Sequence, residues 1–511
     1  MTNDHNNWRR ISLGASVFFF LFIIFLPAVF ILGSFTQGGV VLNGQIIRAV
    51  LLSFWIGIAV VTIDLAFGLP LAWMLSRSKS RIATFIDSLI DLSLVMPTAA
   101  LGFSVYLYWG DRGGLARIFG LDAGLINKGV LMIILLHVVF TLPYIVRSIG
   151  AAIAQISPSY AEAAETLGAY HFTLFRSISL PLFRDGVING SILAFTRSLS
   201  ETGATMMVAG LASTAPVLVV ELKNSGHLPQ AMGTSIILIL SAISILFLAK
   251  ALLGKKTIRL EKVYPRFEKS LINLIIPRNI LVGLFFLFIL FLPTIFIVFY
   301  NLSHWEMAFG AGVLKSMAIS FFIAFTVTLV NLIFALPLAY MIARDQGRLG
   351  KVLDTLNEIV LLVPTSALGM SLAYFWHKFL SLDLMVLILT HLSFSFPFLI
   401  KPLVATFRDI PSGLEDAAYS LGARSGQMLR TILLPMIKPA ILAGLIMAFM
   451  RSLSETGATL AVSDKIQTVP ILIVYLVKQG QFGQAAFIST LLFIIALIFL
   501  YALKHLTYRT K

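Results

Sequence analysis

The sequence contains no cysteine, which excludes a disulfide, a thiolate metal site and a cysteine nucleophile. Charge is also scarce. Charged residues make up 12% of the chain, against roughly 25% in a soluble domain, so an ordinary water-facing surface is excluded. A complete phosphate-binding loop is missing as well. Gly254-Lys-Lys-Thr257 lacks the earlier glycine of G-x-x-x-x-G-K-[ST] and the strand that should precede it. No convergent nucleophile or metal cluster stands out, so the expectation is no catalytic residue, no metal ligand and no cofactor bound by this chain.

What the chain has instead is apolar length. Hydrophobic residues make up 58%, with 41 phenylalanines. At 511 residues there is room for roughly a dozen spans of about 20 apolar residues. Apolar runs lie near 12–34, 48–75, 84–109, 130–152, 185–210 and 234–253, and again near 280–300, 315–342, 354–376, 384–406, 439–462 and 485–503. These runs are too long and unbroken for barrel strands of about ten residues. The first, Ile11 to Phe35, is too long for a signal-peptide core and reads as a retained span.

The net charge of +15 is distributed by side. With a cytoplasmic amino terminus, the inside loops hold Arg9 and Arg10; Arg77, Lys79 and Arg81; Arg344, Arg348 and Lys351; and Lys504, Arg509 and Lys511. Segment 254–279 adds Lys255, Lys256, Arg259, Lys262, Arg266, Lys269 and Arg278, while the other side gets sparse charges such as Arg112, Arg117, Lys223 and Lys465. This is the positive-inside pattern with anionic lipid as partner, not nucleic acid, and it puts both termini in the cytoplasm.

The halves repeat. Ser198-Leu-Ser-Glu-Thr-Gly-Ala-Thr205 recurs letter for letter as Ser452 to Thr459, and the same offset relates His137 to His391, Pro143 to Pro397, Gly168 to Gly422 and Pro181 to Pro435. A second constant offset relates Leu69-Pro-Leu-Ala72 to Leu336-Pro-Leu-Ala339 and Met96-Pro-Thr98 to Val363-Pro-Thr365. Six spans per copy insert both copies the same way up, which predicts a pseudo-twofold axis along the membrane normal. The expected fold is therefore all-α and integral to the membrane, with about 12 transmembrane helices as two parallel six-helix repeats. The first repeat is 1–253, the cytoplasmic basic linker 254–279 and the second repeat 280–511.

Each half carries one patterned cytoplasmic loop. Glu162-Ala163-Ala164, three residues, Gly168, nine residues and Ile178-Ser-Leu-Pro181 match Asp416-Ala417-Ala418, Gly422 and Ile432-Leu-Leu-Pro435 at the same spacing. Ser412 to Glu415 has capping-box spacing for a helix start. Acidic residues suit a first turn, and Gly168 and Gly422 suit a left-handed helix stop. The Leu-Pro pair suits the first turn of the next span. A short exposed helix is thus expected twice.

Deeper in the membrane, Arg197, Glu201 and Thr202 repeat as Arg451, Glu455 and Thr456. Arg197 lies about sixteen residues beyond Pro181, or roughly 24 Å of helix, which places it past mid-bilayer. Buried ionisable groups should face the protein interior or a water-filled cavity. Two readings stand side by side: salt bridges that brace the helices, or groups that line a path or gate. His137 and His391 read as hydrogen-bonded packing residues. Gly186-x3-Gly190 and Ala440-x3-Gly444 permit close helix contact. Ala215-Pro-Val-Leu-Val-Val-Glu221 and Val469-Pro-Ile-Leu-Ile-Val-Tyr475 are too short to span and are expected as apolar helices at the outer mouth. Pro97, Pro143, Pro364 and Pro397 serve bending or packing.

The two loops resemble the coupling loops of permeases in bacterial binding-protein-dependent ABC importers, and the resemblance covers essentially the whole chain. It implies the type I importer permease fold in the plasma (inner) membrane of a prokaryote. Its implied partners are two separate ATPase subunits, which carry ATP and Mg, and an extracytoplasmic solute-binding protein. It makes Glu162, Ala163, Ala164, Gly168, Asp416, Ala417, Ala418 and Gly422 the docking elements, although Asp416 departs from the usual glutamate. The fused layout resembles iron(III) and thiamine permeases, whereas Ser-Glu-Thr-Gly-Ala-Thr resembles a Gly-Glu-Phe-Gly-Ala stretch of molybdate and sulfate permeases. The rival reading, an ion-coupled secondary carrier, would not require the paired loops.

Overall fold

In lipid every backbone N–H and C=O must be satisfied within its own segment, so long apolar runs become helices. The computed structural model describes residues 12–37, 41, 43–78, 80–157, 159–166, 169, 171–252, 273–303, 310–345 and 347–508, and among the described residues there is no strand. Gly168 and the part of the expected linker up to residue 272 lie outside the described residues.

The first half supplies α1 (Ser12–Ser34), α2 (Gly44–Arg77), α3 (Arg81–Val95), α4 (Thr98–Gly110) and α5 (Val130–Ala154). It continues with α6 (Ser159–Thr166), α7 (Leu180–Ser200), α8 (Gly203–Val208), α9 (Ala215–Asn224) and α10 (Leu228–Leu252). The second half repeats this order. It contains α11 (Ile275–Ser303), α12 (Ala311–Arg344), α13 (Arg348–Leu362), α14 (Thr365–Trp376) and α15 (Asp383–Asp409). It ends with α16 (Ser412–Ser420), α17 (Leu434–Leu453), α18 (Gly457–Val462), α19 (Val469–Lys478) and α20 (Phe482–Tyr508). Since α11 starts at Ile275, residues 275–279 are helix and not linker.

Among the described residues, nine helices are long and apolar enough to cross a membrane, and the two bent pairs α3–α4 and α13–α14 bring the count to eleven. The twelfth expected position is α7, whose 21 residues include Arg184, Asp185 and Arg197. Leu51, Trp55 and Ile58 on α2, with Phe322, Phe325 and Ile333 on α12, stay exposed as lipid-facing belts.

Four expected spans are not straight. Runs 84–109 and 354–376 turn by 115° and 108° at Met96-Pro97 and Val363-Pro364. A proline denies the preceding residue the helical region, and Met96 and Val363 sit at ψ 133° and 130°. Pro143 and Pro397 stay inside continuous helices. Runs 185–210 and 439–462 break between α7 and α8 and between α17 and α18. The Leu-Pro pairs also differ from expectation, because they sit within longer helical runs rather than at their start. π-turns at Phe19–Phe25, Phe175–Ser179, Phe286–Phe291 and Leu429–Leu433 each end just before a Leu-Pro pair. The wider turn accommodates the missing N–H and the ring.

The sequence repeats are not the packing units. Helices α1 and α10 lie against α14 of the second half, and α11 and α20 lie against α4 of the first. One hydrophobic core joins Phe20 and Leu238 to Ile323 and Leu368, and the other joins Phe103 and Phe183 to Leu290 and Ile488. Two buried serines fix the exchange beside the π-turns. Ser104 Oγ donates to Pro293 O at 2.6 Å and accepts from Ile297 N at 2.9 Å, and Ser371 Oγ donates to Pro27 O at 2.8 Å and accepts from Ile31 N at 3.2 Å. The halves are not chemically identical. Buried Asp64 accepts from Thr141 Oγ1 at 2.5 Å, where its counterpart Asn331 donates to Ser395 Oγ at 2.9 Å.

Candidate functional site: two helix breaks above a central cavity

The identical segments Ser198–Thr205 and Ser452–Thr459 form the two breaks, and each is spanned twice by side chains. Glu201 takes Arg197 Nη2 on one carboxylate oxygen at 2.7 Å and the Ala204 N–H on the other at 3.1 Å. Glu455 takes Arg451 Nη1 at 2.6 Å and the Ala458 N–H at 2.8 Å, and the Thr365 hydroxyl also bonds to it. A carboxylate on the first N–H groups of a helix satisfies donors that have no intrahelical partner. The histidines are the second tie. His137 bridges Ser198 Oγ at 2.8 Å and Thr205 Oγ1 at 2.9 Å, and His391 bridges Ser452 Oγ at 2.8 Å and Thr459 Oγ1 at 3.1 Å. Each ring therefore pins the helix before the break to the helix after it.

The breaks meet across the pseudo-axis. A Cβ on Gly203 would collide with Thr456, and one on Gly457 would lie 2.6 Å from Thr202 Oγ1. Glycine is thus demanded by the close approach of each break to the threonine side chain of the other. The same tightness holds behind them, where a Cβ on Gly102 would lie 2.6 Å from Ala204 and one on Gly369 2.7 Å from Ala458. Gly186 and Gly190 pack on α5, with Ser148 Oγ donating to Gly186 O at 2.8 Å, and Gly444 packs on Leu399 of α15. The runs at 215–221 and 469–475 are the buried helices α9 and α19, whose first N–H groups donate to Ser53 and Ser320 at 2.8 Å each.

On the α6/α16 side of this contact lies a cavity of about 470 Å³. Arg197 and Arg451 line it, together with Ser200, Ser454, Thr98 and Thr365, whereas Glu201, Glu455, Thr202 and Thr456 do not. The burial agrees: the arginine side chains are 17% and 18% exposed, and the glutamates 4% and 3%. The arginines therefore face the cavity and the glutamates brace them from behind. Each guanidinium lies over a phenylalanine ring, Arg197 5.0 Å from Phe140 and Arg451 5.1 Å from Phe394.

At the opposite end of the cavity are two ionic clusters that the sequence reading missed. Arg147 pairs with Asp87 and Asp91 at 2.6 Å each, and Lys504 of α20 reaches Asp91 at 3.0 Å. Lys401 pairs with Asp354 at 2.9 Å and Glu358 at 2.7 Å, and Lys250 of α10 reaches Glu358 at 2.8 Å. The matching positions in the repeat were a usable signal for both clusters.

The two patterned loops form α6 and α16 at this same end. Glu162, Ala163, Asp416 and Ala417 are exposed, while Ala164 and Ala418 are buried at 6%. Gly422 has φ +83°, with its N–H on Tyr419 O at 2.9 Å, and Ala423 N–H on Ala418 O at 3.0 Å, a left-handed stop. The capping box expected at Ser412 is not formed, because Pro411 is the N-cap and makes no side-chain bond. Glu415 instead turns inward to Arg344 Nε at 2.8 Å and Tyr340 Oη at 2.6 Å, tying α16 to α12. In the first half the sequence has Ala161 at the corresponding position, a residue with no carboxylate to offer. Replacing Glu415 with alanine is expected to cost α16 roughly 1.5–3 kcal/mol of local stability. Hydrogen exchange should show faster exchange of Ser412–Ser420, with the rest of the chain unchanged. Among the described residues no group of three or more His, Asp or Glu could hold a metal ion.

The sequence profile of the family described as binding-protein-dependent transport system inner membrane component matches residues 65–255 and 335–507. The chain is 32% identical over 213 residues to the sulfate transport system permease protein CysT of Escherichia coli, which covers 39% of this chain and 74% of that protein. It is 35% identical over 163 residues to the molybdenum transport system permease protein ModB of the same organism, covering 31% and 70%. It is 28% identical over 239 residues to the molybdate/tungstate transport system permease protein WtpB of Methanocaldococcus jannaschii, covering 46% and 92%. These alignments take up most of each relative and under half of this chain, in keeping with two repeats.

Proposed function

Because the chain belongs to the inner membrane components of binding-protein-dependent transport systems, the permeases of ATP-binding-cassette importers, we propose that it imports a small tetrahedral oxyanion. An extracytoplasmic binding protein delivers the solute, and two ATPase subunits supply the energy. The oxyanion class is carried over from relatives named for sulfate and molybdate transport, in preference to iron(III) or thiamine. This chain binds no cofactor; ATP and Mg belong to the partners. Residues 1–253 and 275–511 act as the two transport halves, joined by the linker 254–274 with both termini in the cytoplasm.

The observation that carries this reading is the opposed placement of the coupling helices and the paired breaks along one axis. An ATPase docked on Asp416, Ala417 and Ala418 would move α16, and the same holds for Glu162, Ala163 and Ala164 on α6. Gly422 ends α16 and sets its direction, and Gly168 holds the matching place in the first repeat of the sequence. From Ser425 a helical run of 29 residues, roughly 43 Å, leads to the break at Glu455 and acts as a lever. Drawing the two levers together would part Thr202 from Gly457 and Thr456 from Gly203, opening the outer side; release restores the contact.

Co-expression with its ATPase should yield one copy of this chain to two ATPases. ATP hydrolysis should appear only in that complex, as read by native mass spectrometry and phosphate release. ATPase activity in the purified chain alone would sink the proposal.

A further inference from the structure

We propose that the cavity below the breaks is a transient station for a tetrahedral dianion, held between Arg197 and Arg451. This inference rests on the oxyanion reading above. It goes further by giving this chain a solute site of its own, separate from that of the binding protein.

The first ground is the direction of the two ion pairs. Each presents its cationic end to the cavity and keeps its carboxylate behind, at 4% and 3% exposure. A solute at that level therefore meets positive charge from two sides of the pseudo-axis. The second ground is donor capacity. A guanidinium has five N–H donors in a planar fork suited to oxyanions. Arg197 uses one on Glu201 and a longer contact of 3.3 Å on Ser200 Oγ, so donors remain for a ligand. The phenylalanine faces under both guanidinium groups hold the forks in place.

The third ground is the arrangement of the other charges. The carboxylate of Asp91 and the ammonium of Lys401 also line the cavity, but at its far end. Asp91 is neutralised by Arg147 and Lys504, and Lys401 by Asp354 and Glu358. Neither competes with a ligand at the level of the arginines. A volume of about 470 Å³ accommodates an oxyanion with part of its hydration shell. The glutamates behind the arginines keep the attraction weak, as a transport site needs if the solute is to leave again.

The test uses the assembled transporter, chain plus ATPases, in lipid nanodiscs without binding protein. Equilibrium binding of radiolabelled sulfate should be saturable, competed by tungstate and unaffected by a neutral sugar. The paired variant Arg451→Gln with Glu455→Gln removes one cationic end without leaving an unpaired charge. It should lower sulfate binding, and oxyanion uptake by the full system in proteoliposomes, at least tenfold at an unchanged melting temperature. If that variant loses its ATPases, the tungsten density of the tungstate-soaked wild-type complex decides. Density between Arg197 and Arg451 supports the station, and density elsewhere or nowhere overturns it. Uptake of oxyanion by the wild-type system without saturable binding, or uptake unchanged in the paired variant, overturns the station and leaves the oxyanion reading standing. No oxyanion uptake with a sulfate- or molybdate-loaded binding protein overturns both.

Discussion

Valine at Gly422 is expected to abolish transport while leaving the chain inserted at its normal level. The glycine ends α16 at φ +83°, and no neighbouring atom lies within 4 Å of where a Cβ would be. The cost is therefore conformational and not steric crowding. A left-handed conformation costs an L-residue roughly 1–2 kcal/mol, and a β-branched side chain suits it least. Relaxing that strain means losing the bonds to Tyr419 O and Ala418 O and re-aiming exposed Leu421 and the last turn of α16. Asparagine, which tolerates the region, should restore most of the activity. Gly168 lies outside the described residues, and the same substitution there is expected from its place in the repeat to impair uptake, with the double variant inactive. Solute uptake, membrane level and ATPase retention are measured together. A Gly422→Val transporter running at the wild-type rate with its ATPases bound would reduce α16 to a plain connector.

A larger loss of stability is expected from Glu455→Leu. It removes the partner of Arg451, which is 18% exposed, and also the acceptor for Ala458 N–H. Breaking a buried pair from one side costs about 3–5 kcal/mol, because the remaining charge is uncompensated. Arg451→Met in the same chain should recover most of it, since removing both charges is often close to neutral. Thermal melts of the wild type, the two single variants and the double variant in nanodiscs supply the cycle. A single variant that melts with the wild type would show that the pair does not brace the break.

Much of this architecture was legible in the sequence because lipid leaves the backbone few choices. Long apolar runs had to be helices, and the constant offsets required a repeat. The breaks were not legible. Ser-Leu-Ser-Glu-Thr-Gly-Ala-Thr contains no proline, and at the interruption the chain meets its other half across the axis, Gly203 against Thr456 and Gly457 against Thr202. Pro97 and Pro143 look alike in sequence, yet one turns the chain and the other does not. The difference lies in the packing on the C-terminal side of each proline: α4 is buried against α8 and α11, whereas α5 runs on along α2 and α7. The role of Glu415 was missed for a similar reason. Its spacing from Ser412 suggested a local cap, but Arg344 and Tyr340, distant in the chain, are its partners. For Arg197 and Glu201 the sequence left bracing and lining side by side, and their different exposure divides them between the cavity and the brace.

The exchange of first and last helices has a consequence for how such a protein can change. A half released on its own would expose an unfinished core, since each core takes side chains from both halves. Linking the halves in one polypeptide makes the unlike pairing intramolecular, which raises its effective concentration. In a symmetric pair of identical chains every substitution is made twice, on both sides of the axis. Here each side is written separately, and the two texts have diverged: Asp64 stands opposite Asn331, Ala161 opposite Glu415 and Glu162 opposite Asp416. The helices α6 and α16 therefore differ in sequence at matching places, and a mutation can alter one of them without touching the other.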